Sequence, residues 1–139
     1  MKILFLGDIV GPSGCMVVKK YLKKIVEENK INFVIANGEN AAHNGVGITK
    51  DVLENLIKFG VNVLTTGNHV WDHKETLKLV EDDNRLLRPF NLIEISPGKG
   101  FEIYQTSKNF KIGVLNLMGN VFMRKSEDVF KTAENFQKK

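Results

Sequence analysis

Hydrophobic residues in this chain gather into short unbroken runs, and between the runs they recur at helical spacing. The first run, residues 3–6, stops at Gly7 and Asp8. Continuous apolarity over so few residues predicts a strand buried in a parallel sheet, ending where a polar loop carries function. From Ser13 to Asn29 the apolar positions Val17, Val18, Tyr21, Leu22, Ile25 and Val26 recur every three or four residues. That spacing predicts an amphipathic helix with Lys19, Lys20, Lys23 and Lys24 on its solvent face. Residues 33–36 form a second run, ending in Asn37, Gly38, Glu39 and Asn40. A loop rich in Gly and Asn then leads through Gly47 to Thr49, the expected N-cap of a helix carrying Val52, Leu53, Leu56 and Ile57 and ended by Gly60. The third run, residues 61–66, ends in Gly67, Asn68 and His69, ahead of a short helix with Leu77 and Val80 and a loop at Arg88 and Pro89.

Beyond Pro89 the runs lengthen. Residues 100–106 and 110–118 predict a hairpin turning at Ser107, Lys108 and Asn109. In the polar tail from Lys125 to Lys139, Val129, Phe130, Ala133 and Phe136 are spaced like a short helix. Alternating strands and helices give an α/β fold, a mainly parallel sheet with helices on both faces. Ligands in such sheets sit beyond the carboxyl ends of the strands. Asp8, Glu39, Asn40, Asn68 and His69 are therefore expected to converge along one edge.

Composition narrows the classes. At 139 residues and 42% hydrophobic content the chain fits one ordinary domain with a core. Its longest apolar stretches fall far short of the roughly 20 residues that cross a bilayer, so no membrane partner is expected. The pattern after Met1 and Lys2 is not that of a secretory signal, which makes a cytoplasmic location the expectation. The single cysteine, Cys15, has no internal disulfide partner and reads as a small buried apolar side chain. A formal charge of +4 spread along the chain favours anionic ligands only weakly, and nucleic acid is not expected as a stable partner. Gly7, Gly11 and Gly14 do not have the dinucleotide-binding spacing, and no Gly-Lys-Ser or Gly-Lys-Thr phosphate loop occurs.

Asp, Glu, Asn and His together offer hard oxygen and borderline nitrogen donors, a set that suits iron, manganese or zinc. Two ions about 3.5 to 4 Å apart need an anionic bridge, for which Glu39 is the candidate. The segments Gly7-Asp8-Ile9-Val10-Gly11, Asn37-Gly38-Glu39-Asn40-Ala41-Ala42 and Thr66-Gly67-Asn68-His69-Val70-Trp71-Asp72 resemble the first three motifs of the YmdB-like metallophosphoesterases of the calcineurin-like superfamily. The Gly-Glu in place of a second Gly-Asp points to the YmdB branch. That resemblance implies the N-terminal half of a metallophosphoesterase αββα sandwich and two divalent or mixed-valence metal ions, iron or manganese first and zinc next. It implies that Asp8 binds one ion, Glu39 bridges the pair, Asn68 binds the other, and Asn40 approaches the first. It further implies that His69 stabilises or protonates the leaving oxygen of a cyclic nucleotide, particularly a 2',3'-cyclic one, or of another phosphodiester. His43 is expected to face the substrate, His73 to begin a helix, and Trp71 and Asp72 to shape the loop.

The family's later histidine motifs have no counterpart, because the last of the three histidines is His73. Asn116 and Asn120, near the end of the last strong strand, read as structural residues, since neutral amides do not replace imidazoles. A single incomplete domain over residues 1–139 is expected to expose apolar edges. The chain would then pair with another molecule, a homo-oligomer included, or be a fragment, which is the preferred reading. A binding or regulatory module without turnover is the alternative function.

Overall fold

The computed structural model describes residues 1–94, 96–106, 109–122 and 126–138. In chain order the elements are β1 (Ile3–Val10), α1 (Gly11–Asn29), β2 (Phe33–Asn40), α2 (Lys50–Lys58), β3 (Val63–Thr65), a 3-10 turn (Asn68–Trp71), α3 (Thr76–Asp82), β4 (Leu86–Leu87), β5 (Phe101–Gln105), β6 (Lys111–Leu115) and α4 (Val129–Gln137). Strands β1 to β4 form a parallel sheet in sequence order, and β5 and β6 form a separate antiparallel hairpin.

Alternation along the strands divides the core in two. Leu4, Leu6, Val34, Ala36, Leu64 and Leu86 share one cluster with Val18 and Leu22 of α1, Leu53 and Leu56 of α2, and Val80 of α3. Phe33, Val63 and Leu87 point the other way and pack on Ile112 and Val114 of β6, with Ile35 and Tyr104 beside them. The expected parallel sheet is thus present, but helices cover one face only and the hairpin covers the other. Tyr104, Ile112 and Val114 lie on one side of the hairpin, so its period-two pattern supplies an apolar face for sheet-on-sheet packing. On the hairpin's opposite side Phe136 of α4 meets Phe101 and Phe90, with ring centroids 4.7 and 5.5 Å away. Helices, sheet, hairpin and helix are the layers of half an αββα sandwich.

Several boundaries differ from the sequence reading for physical reasons. β1 and β2 run on through their polar residues to Val10 and Asn40 instead of stopping at Leu6 and Ala36. Pairing continues there because β1 shifts register between Leu6 and Asp8 and again between Asp8 and Val10. Such bulges bend a strand and re-aim its side chains without ending it. Helix α1 starts at Gly11, with Pro12 in its first turn where a missing N–H costs nothing. Thr49 does occupy the N-cap position of α2, yet its hydroxyl donates to Asp51 Oδ1 at 2.6 Å instead of accepting from the backbone. The hydrophobic pattern does not predict β4, because two residues carry no periodicity, although Leu86 and Leu87 are both fully buried. Thr106 Oγ1 accepts from the Phe110 amide at 3.2 Å near the hairpin turn, while Ser107 and Lys108, like Lys125 and Lys139, lie outside the described residues. Among the described residues no helix is long and apolar enough to cross a membrane.

Candidate metal and phosphoester site

The carboxyl edge of the parallel sheet gathers the polar residues. Asp8 in β1 is exposed, and its Oδ2 accepts from Asn40 Nδ2 at 2.9 Å, so the ends of two neighbouring strands are tied through their side chains. Glu39, half-buried beside Asn40, accepts from Asn37 Nδ2 at 3.4 Å through one oxygen and from the His69 backbone amide at 3.4 Å through the other. Asn37 Oδ1 accepts in return from the Glu39 amide at 3.2 Å, which fixes the residue from its own backbone. The segment after β3 is thereby joined to the end of β2.

Gly67 makes that junction possible. A Cβ placed there would overlap both carboxylate oxygens and the carboxyl carbon of Glu39. The first residue of the Gly-Asn-His motif is thus a steric allowance for the carboxylate that the second motif provides. Asn68 opens the 3-10 turn with its side chain exposed. His69 Nδ1 lies 2.5 Å from Asp72 Oδ2, three residues on. The carboxylate only accepts, so Nδ1 carries the shared proton and Nε2 is left as the nitrogen available to a ligand. Asp72 therefore orients His69, a role more specific than loop shaping. Its signal in the sequence is the i, i+3 spacing of a tight turn, recognisable only once the turn is known to be 3-10.

Beside this edge a cleft of about 600 Å³ opens between the sheet and the hairpin, with Asn37, Glu39, Gly67 and Asn116 in its walls. Asn116 is 6% exposed, and its Nδ2 donates to the carbonyls of Thr66 and Leu87, each at 2.9 Å. It fastens β6 to the ends of β3 and β4, in keeping with a structural role. His43 is not brought to this cleft. It lines a second cavity between α1 and α2, where Nε2 stands 3.9 Å from Asp51 Oδ2. His73 precedes α3 by three residues and holds the glycine loop, with Nε2 2.9 Å from the Val46 carbonyl. Cys15 is half-buried, donates to the Ala41 carbonyl at 3.6 Å, and has its thiol pKa pushed up by burial.

Among the described residues no three His, Cys, Asp or Glu side chains group closely enough to hold a metal ion. Asp8 and Glu39 supply carboxylate oxygens, and Asn40 and Asn68 can add amide oxygens, a donor chemistry that fits a hard divalent cation. The set fits one side of a metal centre.

The YmdB-like protein family matches residues 4–139 of this chain. The chain is 42% identical over 134 residues to the 2',3'-cyclic-nucleotide 2'-phosphodiesterase of Bacillus subtilis strain 168, an alignment spanning 96% of this chain and 50% of that protein. The crystal structure of a hypothetical protein from Thermus thermophilus superposes with a TM-score of 0.89 at 34% identity, over 100% of this chain and 53% of that one. A novel phosphatase from Mycoplasma pneumoniae gives a TM-score of 0.87 at 33% identity, over 98% of this chain and 50% of the other. The chain spans about half the length of these relatives. With the layers of half an αββα sandwich and a match that runs through nearly all of its length, this chain belongs to the YmdB-like protein family.

Proposed function

We propose that this chain provides one side of a metal-dependent phosphodiesterase site for cyclic nucleotides of the 2',3'-cyclic type. One observation carries the reading: the adjacent residues Glu39 and Asn40 each hold a neighbour at the carboxyl edge of the sheet, Asn40 donating to Asp8 and Glu39 accepting from the His69 amide. Support comes from the 42% identity to a protein named for that activity.

Asp8 and Glu39, with the amide oxygens of Asn40 and Asn68, would hold divalent ions, iron or manganese first. Bound there, such ions neutralise phosphoryl oxygens and make a water nucleophile available near neutral pH. The chain's own residues do the remaining work. Glu39 is held by Asn37 and the His69 amide, so its carboxylate does not rotate away. His69 is held at Nδ1 by Asp72, so that Nε2 is the nitrogen left for the substrate, and in the doubly protonated ring the Nε2 proton passes to the oxygen that leaves phosphorus. A second reading, a nucleotide-binding module without turnover, is favoured by the lack of any three-residue metal-ligating group among the described residues.

The test is hydrolysis of a 2',3'-cyclic nucleotide by the chain in saturating manganese, beside His69→Ala. Turnover that falls in the variant while cation binding persists supports the phosphodiesterase. Nucleotide binding with no turnover in the wild type selects the binding module.

A further inference from the structure

The cavity that His43 lines, between α1 and α2, carries charges of opposite sign at its two ends. Both helices start at the carboxyl edge of the sheet and run back along it, so the space between them is a trough of about 330 Å³. Its walls are mainly apolar, with Pro12, Met16, Ala41, Val52 and Phe59 beside the half-buried Cys15. Asp51 and His43 stand at the end where α2 begins, and Lys19 stands with Phe59 at the other. At about 1.5 Å of helical rise per residue, Asp51 and Phe59 are roughly 12 Å apart along α2. The Lys19 ammonium lies 5.9 Å from the centroid of the Phe59 ring, and among the described residues no carboxylate pairs with it. At the opposite end the Thr49 hydroxyl, donating to Oδ1 at 2.6 Å, holds the Asp51 carboxyl below its usual pKa. Asp51 is therefore charged at neutral pH and only accepts. His43 Nε2 is 3.9 Å from Oδ2, beyond hydrogen-bonding range, and does not close that oxygen off. Asn55, one turn further along α2 and also in the wall, offers both a donor and an acceptor.

We propose that this trough binds a free guanine mononucleotide. The charges choose the class. A cation at one end and a carboxylate roughly 12 Å away call for one molecule with an anion at one end and N–H donors at the other, joined by a body that the apolar walls cover. An α-amino acid carries both its charges on one carbon and cannot span the two ends, whereas a nucleoside monophosphate does. Its phosphate meets the Lys19 ammonium in a charge-assisted contact. The base follows from the Asp51 end. Guanine's pairing edge presents two adjacent N–H donors to the carboxylate and a carbonyl oxygen to the Asn55 amide, while adenine sets an acceptor beside its amino group, which a carboxylate repels.

This inference goes beyond the phosphodiesterase reading, and its test uses no metal and no turnover. Each cavity carries a methionine, Met16 in the trough and Met118 in the cleft beside Glu39, so methyl resonances report where a ligand sits. The full chain, labelled at its methionine methyl groups and kept in a chelator, is titrated with 5'-GMP, 5'-AMP and guanosine. GMP should shift the Met16 methyl saturably and leave Met118 in place, with AMP and guanosine at least about fivefold weaker. Lys19→Glu should weaken GMP by about fivefold or more, and Asp51→Asn should erase the preference for GMP over AMP. Should either variant lose the wild-type circular dichroism spectrum, the three ligands compared on the wild type decide alone. No shift of Met16 at millimolar GMP, a shift of Met118 in its place, affinity that AMP or guanosine matches, or full affinity in a folded Lys19→Glu would overturn the proposal.

Discussion

Replacing Asn116 by alanine isolates the joint between the hairpin and the parallel sheet. The side chain is 6% exposed and donates twice, to Thr66 O and Leu87 O at 2.9 Å each. The two acceptors do not suffer equally. Leu87 O also accepts from the Thr66 amide at 3.0 Å and the Thr66 hydroxyl at 2.9 Å, so it stays satisfied. Thr66 O loses its side-chain donor, and a buried carbonyl left unpaired costs about 1 to 3 kcal/mol. Truncating a buried side chain by a few atoms adds roughly 0.5 to 1 kcal/mol of lost packing. The expected loss is about 1.5 to 4 kcal/mol, a fall in Tm on the order of 10 °C for a domain of this size. Urea denaturation followed by circular dichroism measures it, with Asn116→Asp as a second variant. That carboxylate would face two carbonyls with no proton to share, so its loss should be at least as large. A loss below about 0.5 kcal/mol in both variants would refute the reasoning, because it would mean that β6 is not fastened through this side chain.

Gly67→Ala should drive the new methyl group into the Glu39 carboxylate and reduce divalent cation affinity by about tenfold or more with the fold intact, as read by calorimetric titration. In the proposed phosphodiesterase, Asp72→Asn should leave cation affinity unchanged and slow hydrolysis by about 10 to 100-fold, because an amide can donate to Nδ1 as well as accept and no longer fixes the His69 tautomer. The Arg85 guanidinium, through its side-chain hydrogen bonds, holds the Asp83 carboxyl below its usual pKa. A depressed folded-state pKa contributes stability that is present above the ordinary carboxylate value of about 3.9 and is lost as pH falls through the lower folded value. Asp83→Asn should therefore cost on the order of 0.5 to 1 kcal/mol at neutral pH, since solvent reaches and screens this pair. That difference should narrow as the pH falls below about 3.9, which urea midpoints across pH would show.

Much of the fold was legible because strand runs and helical spacing are local. Val52, Leu53 and Leu56 are all buried, as the periodicity of α2 required. In α1 the same reasoning assigned an apolar face too wide, for Val18 and Leu22 are buried while Val17 and Tyr21 are 58% and 45% exposed. Periodicity says which residues share a face but not how much of that face a neighbour covers. The extension of β1 through Asp8 was not readable, because polarity normally signals a loop and the bulges that keep the strand paired are a tertiary property. The order and content of the three motifs brought Asp8, Glu39, Asn40 and the His69 backbone to one edge in the reading and in the fold. Position along the chain did not tell where His43 lies: it directly follows the second motif, yet it stands beside Asp51 and lines the cavity between α1 and α2. Gly67 and Asp72 carry no signal of their own as site residues, because each acts through another side chain.

Binding of manganese to the wild-type chain and to Glu39→Gln, measured by titration calorimetry at neutral pH, tests the central claim most directly. If the carboxyl edge is one side of a metal centre, the wild type binds the ion and the variant loses most of that affinity while keeping its circular dichroism spectrum. Equal binding by the two proteins, or none by the wild type, would contradict it.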